Sequence, residues 1–120
     1  MKRLLSILVL AYAAASAGAT TVHYGHGIPD TIEIPTSGIV NVWFNPSTQV
    51  QGSFPACAGT AGTAGTGDFK MVFDSTTPGG KSMLATLLAQ HAAGAPFWYF
   101  GSGDCGVDGT DESLAKVDVN

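Results

Sequence analysis

The chain has 120 residues, of which 45% are hydrophobic and 12% charged, with a formal charge of −4; this is enough for one domain around a single core and too little for two. Beyond Lys2 and Arg3 the only basic side chains are Lys70, Lys81 and Lys116, set against nine acids. A surface that binds phosphates needs clustered Lys and Arg, so composition argues against nucleic acid as a partner.

Residues 1–19 have the pattern of a signal peptide. Lys2 and Arg3 form the positive end, Leu4 to Ala15 the apolar stretch, and Ala15-Ser16-Ala17 or Ala17-Gly18-Ala19 the small-residue cleavage site. The apolar stretch is shorter than the roughly 20 residues that span a bilayer, so no membrane span is expected after its removal. The expected product is one secreted or periplasmic domain over 20–120, with a formal charge of −6 once Lys2 and Arg3 are gone. In an oxidising compartment its two cysteines, Cys57 and Cys105, are expected to join as a disulfide rather than remain as buried thiols.

Thr20 to Asp30 carries Gly25, Gly27 and Pro29 without a period and reads as a flexible leader or short edge segment. Thr31 to Pro35 alternates, Ser37-Gly38 turns, and Gly38 to Asn45 alternates again, with Val40, Val42 and Phe44 inward and Asn41, Trp43 and Asn45 outward. Pro46 to Gly67 reads as loop and repeats Ala-Gly-Thr three times from Ala58. Phe69 to Asp74 is a third strand. Thr77 caps a helix that Pro78 opens and Gly94 with Pro96 ends; Met83, Leu84, Leu87, Leu88 and His91 make its apolar stripe, expected to plug one end of a barrel. Phe97 to Phe100 is a fourth strand, with Phe97 and Tyr99 on one face and Trp98 and Phe100 on the other. Leu114 to Val119 is a weak fifth.

That order, β-β-β-α-β-β, is the order of a five-stranded Greek-key barrel of the oligonucleotide/oligosaccharide-binding (OB) type, so the expected class is mainly β with one helix and one disulfide. The run from Thr77 to Cys105, TPGGKSMLATLLAQHAAGAPFWYFGSGDC, resembles a family of small exported bacterial proteins with a TPGGK-like helix start, a leucine-rich helix and a strand ending in a YGxGxC pattern. The family is similar in turn, more distantly, to the B subunits of subtilase-cytotoxin-like AB5 toxins, which are OB-fold pentamers that bind glycans. The resemblance covers about Asp68 to Glu112 and implies the fold, with glycan binding and a ring of subunits as expectations. The chain departs from the pattern at Asp108, where the family often has tryptophan.

No catalytic, cofactor or metal constellation is expected. Ser75 to Ser82 imitates a phosphate loop but has Ser75 where the first glycine belongs, and Pro78 removes an N–H donor. Ser102 lacks both nucleophile-elbow spacing and a neighbouring base. His23 and His26 read as solvated leader residues, and Asp104, Asp108, Asp111 and Glu112 as a solvated acidic turn without the spacing of a calcium loop. The aromatics remain. Trp43, Trp98 and Phe100 project outward by parity, and an exposed indole packs on a ligand, a partner or a neighbouring segment. The expectation is a non-enzymatic binding module for a glycan, and alternatively a structural protein of the cell envelope that binds a protein partner.

Overall fold

The computed structural model describes residues 23–45, 48–58 and 69–119. The expected signal peptide over 1–19 and the body of the Ala-Gly-Thr repeat lie outside the described residues. Seven strands and one helix follow in chain order: β1 (Tyr24–Gly27), β2 (Pro29–Glu33), β3 (Ile39–Phe44), β4 (Gln49–Gln51), β5 (Phe69–Asp74), α1 (Pro78–Ala93), β6 (Phe97–Gly101) and β7 (Glu112–Asp118). The protein is mostly β with one helix, as expected. The strands pair in the order β2-β3-β5-β7-β6-β1-β4, six principal strands plus the three-residue β4, with β2 and β4 at the two ends. This hydrogen-bonded ladder is open, where five strands closed into a barrel were expected.

Two strands lie where the sequence shows no sustained alternation. β1 falls in the stretch read as a flexible leader or short edge segment, and it pairs on one side with β6 (Tyr24 opposite Phe100) and on the other with β4 (Tyr24 opposite Gln51). Its glycines hide the alternation because a residue without a side chain shows no phase, while Gly27 is required by contact: a Cβ there would lie 1.9 Å from Thr48 Cγ2. β4 lies inside the stretch read as loop and is too short to show a period.

The alternation of β3 is as read, with Val40, Val42 and Phe44 fully buried. These three pack with Phe69, Met71, Phe73, Leu87, Phe97, Tyr99 and Leu114 into one core, in which Phe44 stacks on Tyr99 at 4.1 Å and on Phe69 at 5.2 Å. β5 runs parallel to β7, which is why a helical crossover separates them. On β7 one extra residue, Ala115, interrupts the pairing with β6, since Phe100 faces Lys116 and Gly101 faces Leu114. The bulge shifts the strand's phase, so Leu114 and Val117 both reach the core side while Val119 is left exposed.

The helix punctuation is as read. Thr77 accepts the Gly80 N–H at 3.0 Å, and Gly94 adopts a left-handed φ of 63°, with the Gly94 and Ala95 amides bonded back to His91 and Gln90 carbonyls. Gly80 is needed at the entry, because a Cβ there would lie 1.8 Å from the Asp74 carbonyl oxygen. The apolar stripe is a narrower plug than expected. Only Leu87 is fully buried; Met83 and Leu84 are half-buried, Leu88 is 41% exposed and His91 is exposed. The helix lies against β7 rather than across the middle of the core, which turns the far side of the stripe to solvent.

Cys57 and Cys105 are joined, with Cα atoms 6.2 Å apart and a separation of 48 positions in sequence. Closing a loop of that length contributes about 4 kcal/mol in the chain-entropy model, a large part of the roughly 5–15 kcal/mol that holds a small domain folded. The double variant Cys57→Ser/Cys105→Ser is therefore expected to stay folded at 25 °C with its unfolding free energy lowered by about that amount, as read by urea titration.

Candidate functional site

The sheet has two chemically different faces. On the inner side, under the aromatic core, lies a buried polar pair. His23, immediately before β1, and Glu112, the first residue of β7, are both 0% exposed, and the His23 Nδ1 lies 2.8 Å from Glu112 Oε2. A carboxylate only accepts, so Nδ1 carries a proton and donates it to Glu112. Glu112 Oε1 also accepts the Gly103 N–H at 3.2 Å. Gly101 makes room for this carboxylate: a Cβ there would lie 2.1 Å from Glu112 Oε1. The Gly101 N–H in turn bonds the His23 carbonyl at 2.7 Å, so the residue before β1 is tied to the end of β6 beside the carboxylate.

Aromatic rings enclose the pair. Phe54 lies over the His23 imidazole at 4.0 Å between centroids, and Phe69 and Tyr99 stand edge-on to it at 5.3 and 6.0 Å. Among the described residues, neither His23 Nε2 nor the Tyr99 hydroxyl, both buried, has a hydrogen-bond partner. Burial first, and the nearby Glu112 charge second, push the Tyr99 phenol well above the ordinary tyrosine range.

This corrects two expectations. His23 is a core residue and not a solvated leader side chain, because β1 docks between β6 and β4 and carries His23 inward. The acidic turn is also divided. Asp111 is nearly buried and pairs with Lys70 at 2.8 Å, and Glu112 turns inward to His23. Asp104 and Asp108 stay on the surface and bind their own loop: Asp104 accepts the Gly106 N–H at 2.9 Å, and Asp108 accepts those of Thr110 and Asp111. The Gly106 amide and then the Ser102 hydroxyl hold Asp104 below the usual carboxylate range. Among the described residues no three His, Cys, Asp or Glu side chains gather as a metal-binding group.

The outer face carries the candidate binding surface. Trp98 and Phe100 on β6 meet Tyr24 and His26 on β1: His26 lies 4.7 Å from Trp98, and Tyr24 lies 5.9 Å from Phe100 with planes 19° apart. All four are half-buried, and they form one continuous strip. Tyr24 donates its hydroxyl to Gln51 at 3.1 Å, and the Lys116 ammonium lies 5.1 Å from the Phe100 centroid. A concavity of about 340 Å³ opens at the His26 end, lined by His26, Asp30, Asn45, Thr48 and Pro96. Sequence parity indicated the outward side of β6, while Tyr24 and His26 went unrecognised because their strand did.

Trp43 does not join this strip. It stands on β3, in the other half of the sheet, with Lys70 Nζ 5.5 Å from its ring. Its Nε1 is buried without a hydrogen bond of good geometry, yet it acts on the Glu33 carboxylate: the indole N–H first, and Asn41 second, hold Glu33 below its ordinary value. Comparisons with family models, curated proteins and solved structures find no match for the chain.

Two outcomes are expected from the inner cluster. Removing one member of a buried pair leaves the other without its partner at a cost of about 3–5 kcal/mol, whereas replacing both with apolar residues restores much of it. Urea titrations should therefore rank Glu112→Ala well below wild type and His23→Leu/Glu112→Leu between the two. Tyr99 is raised in the fold, so its contribution is intact below the unfolded tyrosine value of about 10 and declines as pH climbs above it. Tyr99→Phe should flatten that alkaline decline, as followed by thermal melts.

Proposed function

We propose that the chain is an exported, non-enzymatic binding domain of OB type that stacks a glycan on the Tyr24, His26, Trp98 and Phe100 strip, with polar groups of the neighbouring concavity holding its hydroxyls. The observation that carries this is the strip itself. Four adjacent aromatic rings half-open to solvent represent unspent apolar area beside Asp30, Asn45 and Thr48, the combination of flat apolar face and converging polar atoms that suits a sugar ring.

Support for the barrel comes from chain continuity across the ends of the open ladder. β1 and β2 are separated by Ile28 alone, and β3 and β4 by four residues. β1 pairs with β4 and β2 with β3, both antiparallel and with a small slip of register between them. Counted as two bent strands, these four segments form one long hairpin. Its first strand reaches β6 and its second reaches β5, a neighbour order compatible with five strands around a ring, with β5 parallel to β7 as the helical crossover requires. The likeness to small exported proteins and, further off, to toxin B subunits belongs to the same proposal. So does a secreted or periplasmic location, with which the disulfide is compatible; among the described residues no helix is long and apolar enough to cross a membrane.

A second occupant, a protein partner or another copy of the chain, is favoured by a different feature. β2 pairs on one side only and is flanked by exposed Ile28 and Ile34, the latter 53% exposed.

A glycan array followed by tryptophan-fluorescence titration tests the first reading. Wild type is expected to bind at least one glycan, Trp98→Ala/Phe100→Ala to lose binding by tenfold or more, about 1.4 kcal/mol, and Lys81→Ala to bind as wild type. An empty array together with a monomeric light-scattering mass would count against the module; a discrete oligomer that pairs through β2 would favour the second occupant.

A further inference from the structure

The segment between β4 and the first cysteine has an unusual attachment. Among the described residues, no hydrogen bond ties residues 52–58 to the rest of the domain; the one they make, Ala58 N–H to the Pro55 carbonyl, is internal. Among the described residues, the Cys57–Cys105 bridge and the ring of Phe54, set against His23 and Phe69, tie the segment to the core. Cys57 is exposed, so the bridge is open to reagents from its Cys57 side, whereas Cys105 is buried. Beneath Phe54 lies the His23 imidazole, whose buried Nε2 has no partner among the described residues.

We propose that the Cys57–Cys105 bridge is a reducible clasp that keeps Phe54 over His23, and that its reduction opens a latent basic site at the imidazole. The chemistry needs a dithiol. One thiolate of the reagent attacks a sulfur of the bridge, the S–S bond breaks, and the second thiol closes the reagent's own disulfide, so that two electrons and two protons pass to Cys57 and Cys105 as thiols. Reduction then releases the strap from order to disorder. Burial of a single half-buried ring contributes less free energy than the backbone entropy lost in ordering the residues that carry it, so without the crosslink the strap lifts. The site then presents an imidazole oriented by Glu112 through Nδ1, with the ring face that Phe54 covered laid open.

Diethyl pyrocarbonate, which acylates accessible imidazole nitrogen, tests this when modification is read residue by residue by mass spectrometry. In oxidised protein the exposed His91 is expected to react while His23 stays protected. After treatment with dithiothreitol, with far-UV circular dichroism unchanged, His23 should react at a rate approaching that of His91. Oxidised Phe54→Ala should behave like reduced wild type, and Cys57→Ser/Cys105→Ser should do so without reductant. The proposal is overturned if His23 stays protected in reduced, folded protein, or if reduction abolishes the dichroism together with all protection, since the bridge is then a global staple and not a clasp.

Discussion

The interaction on which the rest depends is the buried contact between His23 and Glu112. Each is a polar group in an aromatic core, where neither is tolerated alone, so each compels the other's position. His23 precedes the first described strand and Glu112 opens the last, 89 residues later. One hydrogen bond of 2.8 Å therefore sets where β1 enters the sheet, and Gly101 and Gly103 answer to it: the first leaves space for the carboxylate and the second donates to it.

Placement of β1 in turn creates the outer surface. Once His23 points inward, alternation sends Tyr24 outward, Gly25 inward and His26 outward, onto a strand register that sets them beside Phe100 and Trp98. The aromatic strip is thus the reverse side of the buried pair. The same coupling explains why the polar concavity sits at the His26 end, where the chain bends from β1 into β2 and brings Asp30 next to Asn45 and Thr48.

How much of this was legible in the sequence varied with length and side-chain content. β3, β5 and β6 are five or six residues of alternating apolar character, and their inward faces can be read directly from parity. The helix ends were legible from Thr77, Pro78 and Gly94 because caps act within one turn of the chain. β1 was not, since two of its four residues are glycine, and β4 has only three. Nor was the phase of β7: the bulge at Ala115 lets Leu114 and Val117 share a face, which strict alternation would place on opposite ones.

The sequence by itself determined the local matters: a β-rich chain with one capped helix, one pair of cysteines, an apolar face on each regular strand and aromatics on the opposite face of β6. These depend on residues a few positions apart, and periods of two and 3.6 record them. Only the tertiary structure decided that His23 and Glu112 are partners, that Asp111 belongs to Lys70, that Trp43 stands apart from Trp98, and that Tyr24 and His26 complete the strip. The physical reason is that burial of a polar group depends on a partner brought from elsewhere in the chain, and an acid or imidazole in a glycine-rich stretch looks the same whether it faces water or a counterpart in the core.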